Sequence, residues 1–99
     1  MKYPTRKALF VDVDGTLVIN GKANVELVEA IRTRHKNGFT ITVWSARGEA
    51  NSKRAVELCG IGDVVSHTIS KPTFVVDDKG WGWIKHAPSL TVEQAKGCY

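Results

Sequence analysis

Residues Ala8-Leu9-Phe10-Val11-Asp12-Val13-Asp14-Gly15-Thr16-Leu17 pass from an unbroken apolar run into an acidic turn that contains a glycine. A strand buried on both faces of a parallel sheet reads this way, because none of its positions has to face water. Its carboxyl end then carries two carboxylates one residue apart, at the edge where open α/β sheets bind their ligands.

The chain that follows supplies the rest of such a sheet. From Asn24 to about Lys36, Val25, Val28 and Ile31, with Leu27 beside them, recur at three- and four-residue intervals, which predicts an amphipathic helix. Asn24 suits its N-cap, Glu26 and Glu29 lie early, Arg32, Arg34 and Lys36 lie late, and Gly38 supplies the stop. Phe39 to Trp44 alternates and is rich in β-branched and aromatic residues, so a second strand is expected to end at Ser45. A second helix is expected over 50–59, with Ala55, Val56 and Cys59 inward and Gly60 closing it. A short third strand covers Val64-Val65 and His67 to Ile69, and a fourth covers Thr73-Phe74-Val75-Val76, ending at Asp77-Asp78. Strands alternating with helices imply a compact, Rossmann-like α/β fold: a parallel sheet with right-handed crossovers, flanked by helices. Beyond Asp78, Gly80, Gly82 and Pro88 interrupt Trp81, Trp83 and Ile84, and only Leu90 to Ala95 reads as a further short element.

Ninety-nine residues with 42% hydrophobic content suit one domain over residues 1–99. No apolar run approaches the roughly 20 residues of a membrane span, and the amino terminus lacks a signal-peptide core, so a cytoplasmic protein without a membrane partner is expected. Cys59 and Cys98 form neither a zinc spacing nor a disulfide framework. Fourteen Lys and Arg against ten Asp and Glu give a net charge of +4, yet four of the acids sit in the pairs Asp12/Asp14 and Asp77/Asp78. The remaining surface is basic, which attracts phosphorylated or polyanionic partners and equally serves solubility.

Two carboxylates in a tight turn repel one another unless a proton or a cation relieves them, and Asp77-Asp78 at a neighbouring strand end would add two more. Four carboxylates around one crevice call for a divalent ion, and a hard, all-oxygen donor set predicts magnesium, with manganese or calcium as competitors. The second strand ends in Ser45-Ala46-Arg47-Gly48, offering a hydroxyl, backbone N–H groups near a helix start and a guanidinium, while Lys71 supplies a point charge. This inventory matches phosphoryl transfer: a carboxylate nucleophile, a second carboxylate for proton work, and cations for the charge of the transition state.

With these residues in view, the chain resembles the haloacid dehalogenase superfamily, whose four motifs it carries in order as Asp12-Val13-Asp14-Gly15-Thr16-Leu17, Ser45, Lys71 and Asp77-Asp78. The match spans about residues 7–79. The resemblance implies that Asp12 attacks phosphorus to form an aspartyl-phosphate. Asp14 would protonate the leaving group and then activate water, while Ser45 and Lys71 hold the phosphoryl group. Thr16 and Arg47 would be further substrate contacts, although Arg47 equally suits a surface ion pair. Magnesium would be held by Asp12, by the backbone carbonyl of Asp14 and by Asp77 or Asp78. Dehalogenating members lack an acid at the position of Asp14, so the resemblance implies a phosphatase.

Members acting on small metabolites usually close a cap domain over the site, and both insertion points are nearly empty here. Seven residues, Leu17 to Ala23, separate Thr16 from the first helix cap, and the twenty-three between Arg47 and Lys71 are used by a helix and a strand. An open site takes a large substrate such as a nucleic-acid end, a phosphoprotein or a lipid-linked sugar, or borrows a neighbouring subunit of a homo-oligomer to exclude water. Two subfamilies are similar. Ser45-Ala46-Arg47-Gly48 and Asp77-Asp78-Lys79 resemble the 3′-phosphatase domains of polynucleotide kinase-phosphatases. Lys71-Pro72 and the same Asp-Asp-Lys run resemble small capless phosphatases of capsular polysaccharide and lipopolysaccharide synthesis. Nucleotides, nucleic-acid ends and sugar phosphates are therefore the candidate substrates, and a non-catalytic phosphate-binding or regulatory protein is the alternative. Trp81, Trp83 and Trp44 suit either base stacking or loop anchoring, and His35, His67 and His86 share no ligand spacing.

Overall fold

The computed structural model describes residues 7–80, 82 and 89–96, so Trp81, Trp83, His86 and Cys98 lie outside the described residues. In chain order the elements are β1 (Ala8–Asp12), β2 (Val18–Ile19), β3 (Lys22–Ala23), α1 (Val25–Lys36), β4 (Thr40–Ser45), α2 (Glu49–Cys59), β5 (Val65–Ser70) and α3 (Val92–Lys96). β1, β4 and β5 form a parallel sheet in that order, and β2 pairs antiparallel with β3. The fold is a small α/β unit whose parallel sheet is flanked by helices, with no separate cap among the described residues. None of the described helices is long and apolar enough to cross a membrane.

Register fixes which side chains share a face. Val11 stands opposite Val43 and Asp12 opposite Trp44, while Ser45 stands opposite Ser70. Crossovers between parallel strands are right-handed almost without exception, and two that run in one direction, β1 to β4 and β4 to β5, put α1 and α2 on the same side of the sheet. On that side Val11, Ile41 and Val43 are buried with Leu27, Ile31 and Ile61. On the other side Phe10 and Ile69 remain 48% and 37% exposed.

Helix α1 begins where the cap signal predicts: the Asn24 side chain accepts from the Leu27 N–H. Its inward stripe differs from the expected one. Leu27, Ala30, Ile31 and Arg34 are buried, at the i, i+3, i+4, i+7 spacing of one helix face, whereas Val25 is exposed. The buried Arg34 guanidinium lies 5.0 Å from the Phe39 ring and donates to the Ala95 carbonyl at 3.4 Å, which ties α1 to α3. Helix α2 ends at Gly60 in the left-handed conformation, as its sequence predicts.

Two features depart from the sequence reading. The segment Ala23 and its predecessors form a hairpin whose central residues, Asn20 and Gly21, both have positive φ (52° and 74°), as a type I′ turn requires. The expected fourth strand does not form: Thr73 to Val76 is not paired, and Phe74 and Val76 are exposed. β-propensity measures fit to a pleated, half-buried surface, so it cannot make a strand where no neighbour is engaged.

Candidate active site

The carboxyl ends of β1, β4 and β5 lie along one edge of the parallel sheet and carry Asp12, Ser45 and Ser70, with Lys71 one residue further on. The turn after β1 folds back on itself: the Gly15 N–H donates to Val18, that of Thr16 to Val13 and that of Leu17 to Asp12, at 2.9–3.2 Å. Gly15 sits at φ 76°, where a side chain is disfavoured. Asn24 anchors the turn from the other end, since its Nδ2 donates to the Thr16 carbonyl at 3.0 Å while its Oδ1 caps α1. The acidic loop and the start of α1 are thus one unit.

Each carboxylate of the loop meets a cation. Lys71 Nζ lies 3.1 Å from Asp12 Oδ1, and Arg47 donates to Asp14 Oδ1 at 3.1 Å. The second oxygens are also engaged, Asp12 Oδ2 by the Thr16 hydroxyl at 3.5 Å and Asp14 Oδ2 by Asn51 Nδ2 at 3.2 Å. Both ion pairs are solvent-accessible, so they are worth little to stability and exchange readily for another anion. Lys71 is held at two points: its N–H donates to the Ser45 carbonyl at 3.0 Å, and its ammonium lies 5.7 Å from the Trp44 ring centroid. Trp44 in turn meets Phe10 edge to face at 4.8 Å.

Ser45 lies inside the core at the end of β4. It is 1% exposed, and its Oγ accepts from the Arg47 N–H and from Asn51 Nδ2, both at 3.0 Å. The loop from Ser45 to α2 is further closed by the Gly48 N–H on the Ser45 carbonyl, and Gly48 adopts φ 108°, ψ 170°, a region open essentially to glycine alone.

Asp77 and Asp78 stay apart from the other acids. Both are exposed, and Asp77 Oδ1 accepts from the Lys79 N–H at 2.8 Å in a local turn. Among the described residues no three His, Cys, Asp or Glu side chains converge as a metal site would require, so the expected crevice of four carboxylates is not assembled. Thr73 to Val76, which as a strand would have ended with these two acids at the sheet edge, is unpaired. Asp12 and Asp14 still supply hard oxygen donors, and magnesium commonly takes one or two carboxylates and completes its shell with water and phosphate oxygens. In donor chemistry the residues fit that ion.

The sequence reading overlooked Asn51. The signal was present: one turn before the buried Ala55 and Val56, the same helix stripe falls on Asn51 and Ser52, both buried. Ser52 Oγ donates to the Ile69 carbonyl at 2.9 Å and fastens α2 to β5, while Asn51 turns toward the acidic loop. His35 and His67 are exposed, as expected of residues outside the site. No protein-family model, no curated protein and no solved structure matches the chain.

Proposed function

We propose that this chain is a magnesium-dependent phosphomonoester hydrolase working through an aspartyl-phosphate on Asp12. The observation that carries the reading is the pair of carboxylate–cation contacts, Asp12 with Lys71 and Asp14 with Arg47, side by side beyond the ends of parallel strands. Two acids and two bases in reach of one another are the groups that phosphoryl transfer needs, and both cations can turn to phosphoryl oxygens as a dianionic substrate enters.

In the first half-reaction a carboxylate oxygen of Asp12 attacks phosphorus as the bond to the leaving oxygen breaks, and Asp14 gives that oxygen a proton. Oδ2, whose contact with Thr16 is the long one at 3.5 Å, is the freer oxygen for the attack. In the second half Asp14 takes a proton from water, the hydroxide attacks phosphorus, and the Asp12 carboxylate departs. Lys71 holds Asp12 in place and, with Arg47, offsets the charge on the phosphoryl oxygens. Magnesium, when held by Asp12 and the loop of Asp14 with Asp77 or Asp78 brought in, would neutralise charge on the phosphoryl group.

Among the described residues no cap covers the site, which suits a nucleic-acid end, a nucleotide or a sugar phosphate, and the composition suits a cytoplasmic protein. The test is phosphate release from a panel of these substrates, with and without magnesium, by wild type and Asp12→Asn. Metal-dependent release that the substitution abolishes, with the circular dichroism spectrum unchanged, supports the hydrolase. Retained release in the variant would overturn the mechanism. A second reading, a phosphate-binding protein without turnover, draws on the exposed position of Asp77 and Asp78. Saturable phosphate binding with no release across the panel would favour it.

A further inference from the structure

Ser45 and Asn51 are polar groups inside the core, 1% and 8% exposed, and their contacts point at one another and at Asp14. A primary amide has two N–H bonds, and Asn51 spends both, one on Asp14 Oδ2 and one on Ser45 Oγ. The nitrogen end of the amide faces both Asp14 Oδ2, at 3.2 Å, and Ser45 Oγ, at 3.0 Å. Ser45 Oγ has two lone pairs, and the Arg47 N–H and the Asn51 amide fill them. Its carbonyl oxygen is engaged as well, by the N–H groups of Gly48 and Lys71. Both acceptor positions of this hydroxyl are thus set by the loop and by α2, which leaves its O–H as the one group still to donate. An incoming phosphoryl group meets the accessible Arg47 and Lys71 first.

We infer that Ser45 and Asn51 form a buried positioning pair that sets the carboxylate of Asp14 relative to Asp12. This rests on the hydrolase reading and assigns the pair a role within it. The chain of contacts runs from the end of β4 through the first turn of α2 to the acidic loop, so three separate segments are locked in one geometry. A proton donor displaced by about 1 Å can lose on the order of a hundredfold in rate, which is why a group that acts through Asp14 matters here.

The experiment compares wild type with Ser45→Ala, Ser45→Thr, Asn51→Ala, Asn51→Asp and the Ser45→Ala/Asn51→Ala double variant. For each, kcat and KM for phosphate release are measured together with the affinity for inorganic phosphate by calorimetry. Each alanine variant should lower kcat by about 10–100-fold, the range found when a supporting hydrogen-bond partner is removed, with KM and phosphate affinity of Asn51→Ala within about threefold of wild type. The double variant should be no worse than the poorer single one, because the two act as a unit. Ser45→Thr, which keeps the hydroxyl oxygen, should restore most of the rate. Asn51→Asp, which sets a carboxylate against a carboxylate, should be the most damaging. A tenfold loss of phosphate affinity in Asn51→Ala with kcat unchanged would overturn the inference, since Asn51 would then be a direct ligand. Additive effects of the two alanines would overturn it too.

A wild type that releases no phosphate would sink the hydrolase reading instead, and the geometry can still be judged. The side-chain amide resonances of Asn51 should then move in both Ser45→Ala and Asp14→Asn proteins. Resonances that stay put would refute the pair.

Discussion

Replacing Gly48 by alanine tests the loop on which the site is built. At φ 108° and ψ 170° the residue occupies backbone space that L side chains avoid, and holding one there costs about 1–3 kcal/mol. None of that cost is collision: the nearest atom to an added Cβ is Ser70 Oγ, at an ordinary contact distance of 3.9 Å. Gly62 is the matching control. Its φ lies outside the glycine region, and an added Cβ would find only Val56 Cγ1, at 4.0 Å. There alanine chiefly restricts the unfolded chain and should stabilise by about 0.4–1 kcal/mol. One chemical change therefore has opposite signs fourteen residues apart. Urea unfolding followed by circular dichroism reads both, and for a domain of this size each kcal/mol moves the thermal midpoint by roughly 4–8 °C. Gly48→Ala unfolding within error of wild type, or both variants shifting the same way, would refute the assigned backbone geometry and with it the placement of Arg47 and Asn51.

Two further outcomes follow from charge and burial. Arg32 donates to both oxygens of Asp63 at 2.8 and 3.2 Å and holds that carboxyl below its ordinary range, so its stabilisation is present above the unfolded pKa of about 3.9 and fades as pH falls through the lower folded value. Denaturant titrations from about pH 6 to about pH 2 should show wild type losing slightly more stability than Asp63→Asn at the acid end, and parallel curves would contradict the linkage. Burial pushes the Cys59 thiol up from its ordinary pKa, leaving less thiolate at mildly alkaline pH. In a Cys98→Ser background, alkylation of the folded protein should be slower than in urea, and equal rates would show the thiol to be free.

The elements that the sequence announces are those with local punctuation. Asn24 and Gly38 bracket α1, Gly60 ends α2, and the β-branched run before Ser45 makes β4, because caps and periodicity act over a few residues. The hairpin was equally readable, since Asn20-Gly21 is a strong turn signal, but strands as short as Val18–Ile19 give periodicity too little length to register. The absence of the expected fourth strand has the opposite origin. Thr73 to Val76 has every local preference for a strand, and pairing depends on an edge elsewhere in the chain. The acids Asp12 and Asp14 and the bases Arg47 and Lys71 were legible as chemistry, and their pairing in space bears out only their proximity. Asn51 was hidden because a polar residue near a helix start looks like a surface residue until its partners on other elements are known.

The convergence of donors on Ser45 also bears on how the molecule breathes. Loop amides ordinarily exchange their hydrogens with water quickly, since opening them disturbs nothing else. The amides of Arg47, Gly48 and Lys71 lie outside the helices and strands, yet all three end on this one serine at the end of the central strand. Their hydrogens can leave only when the end of β4 comes loose, so these loop positions should share the slow exchange of the sheet. The loop beside Asp12 and Asp14 is in that sense part of the core's cooperative unit.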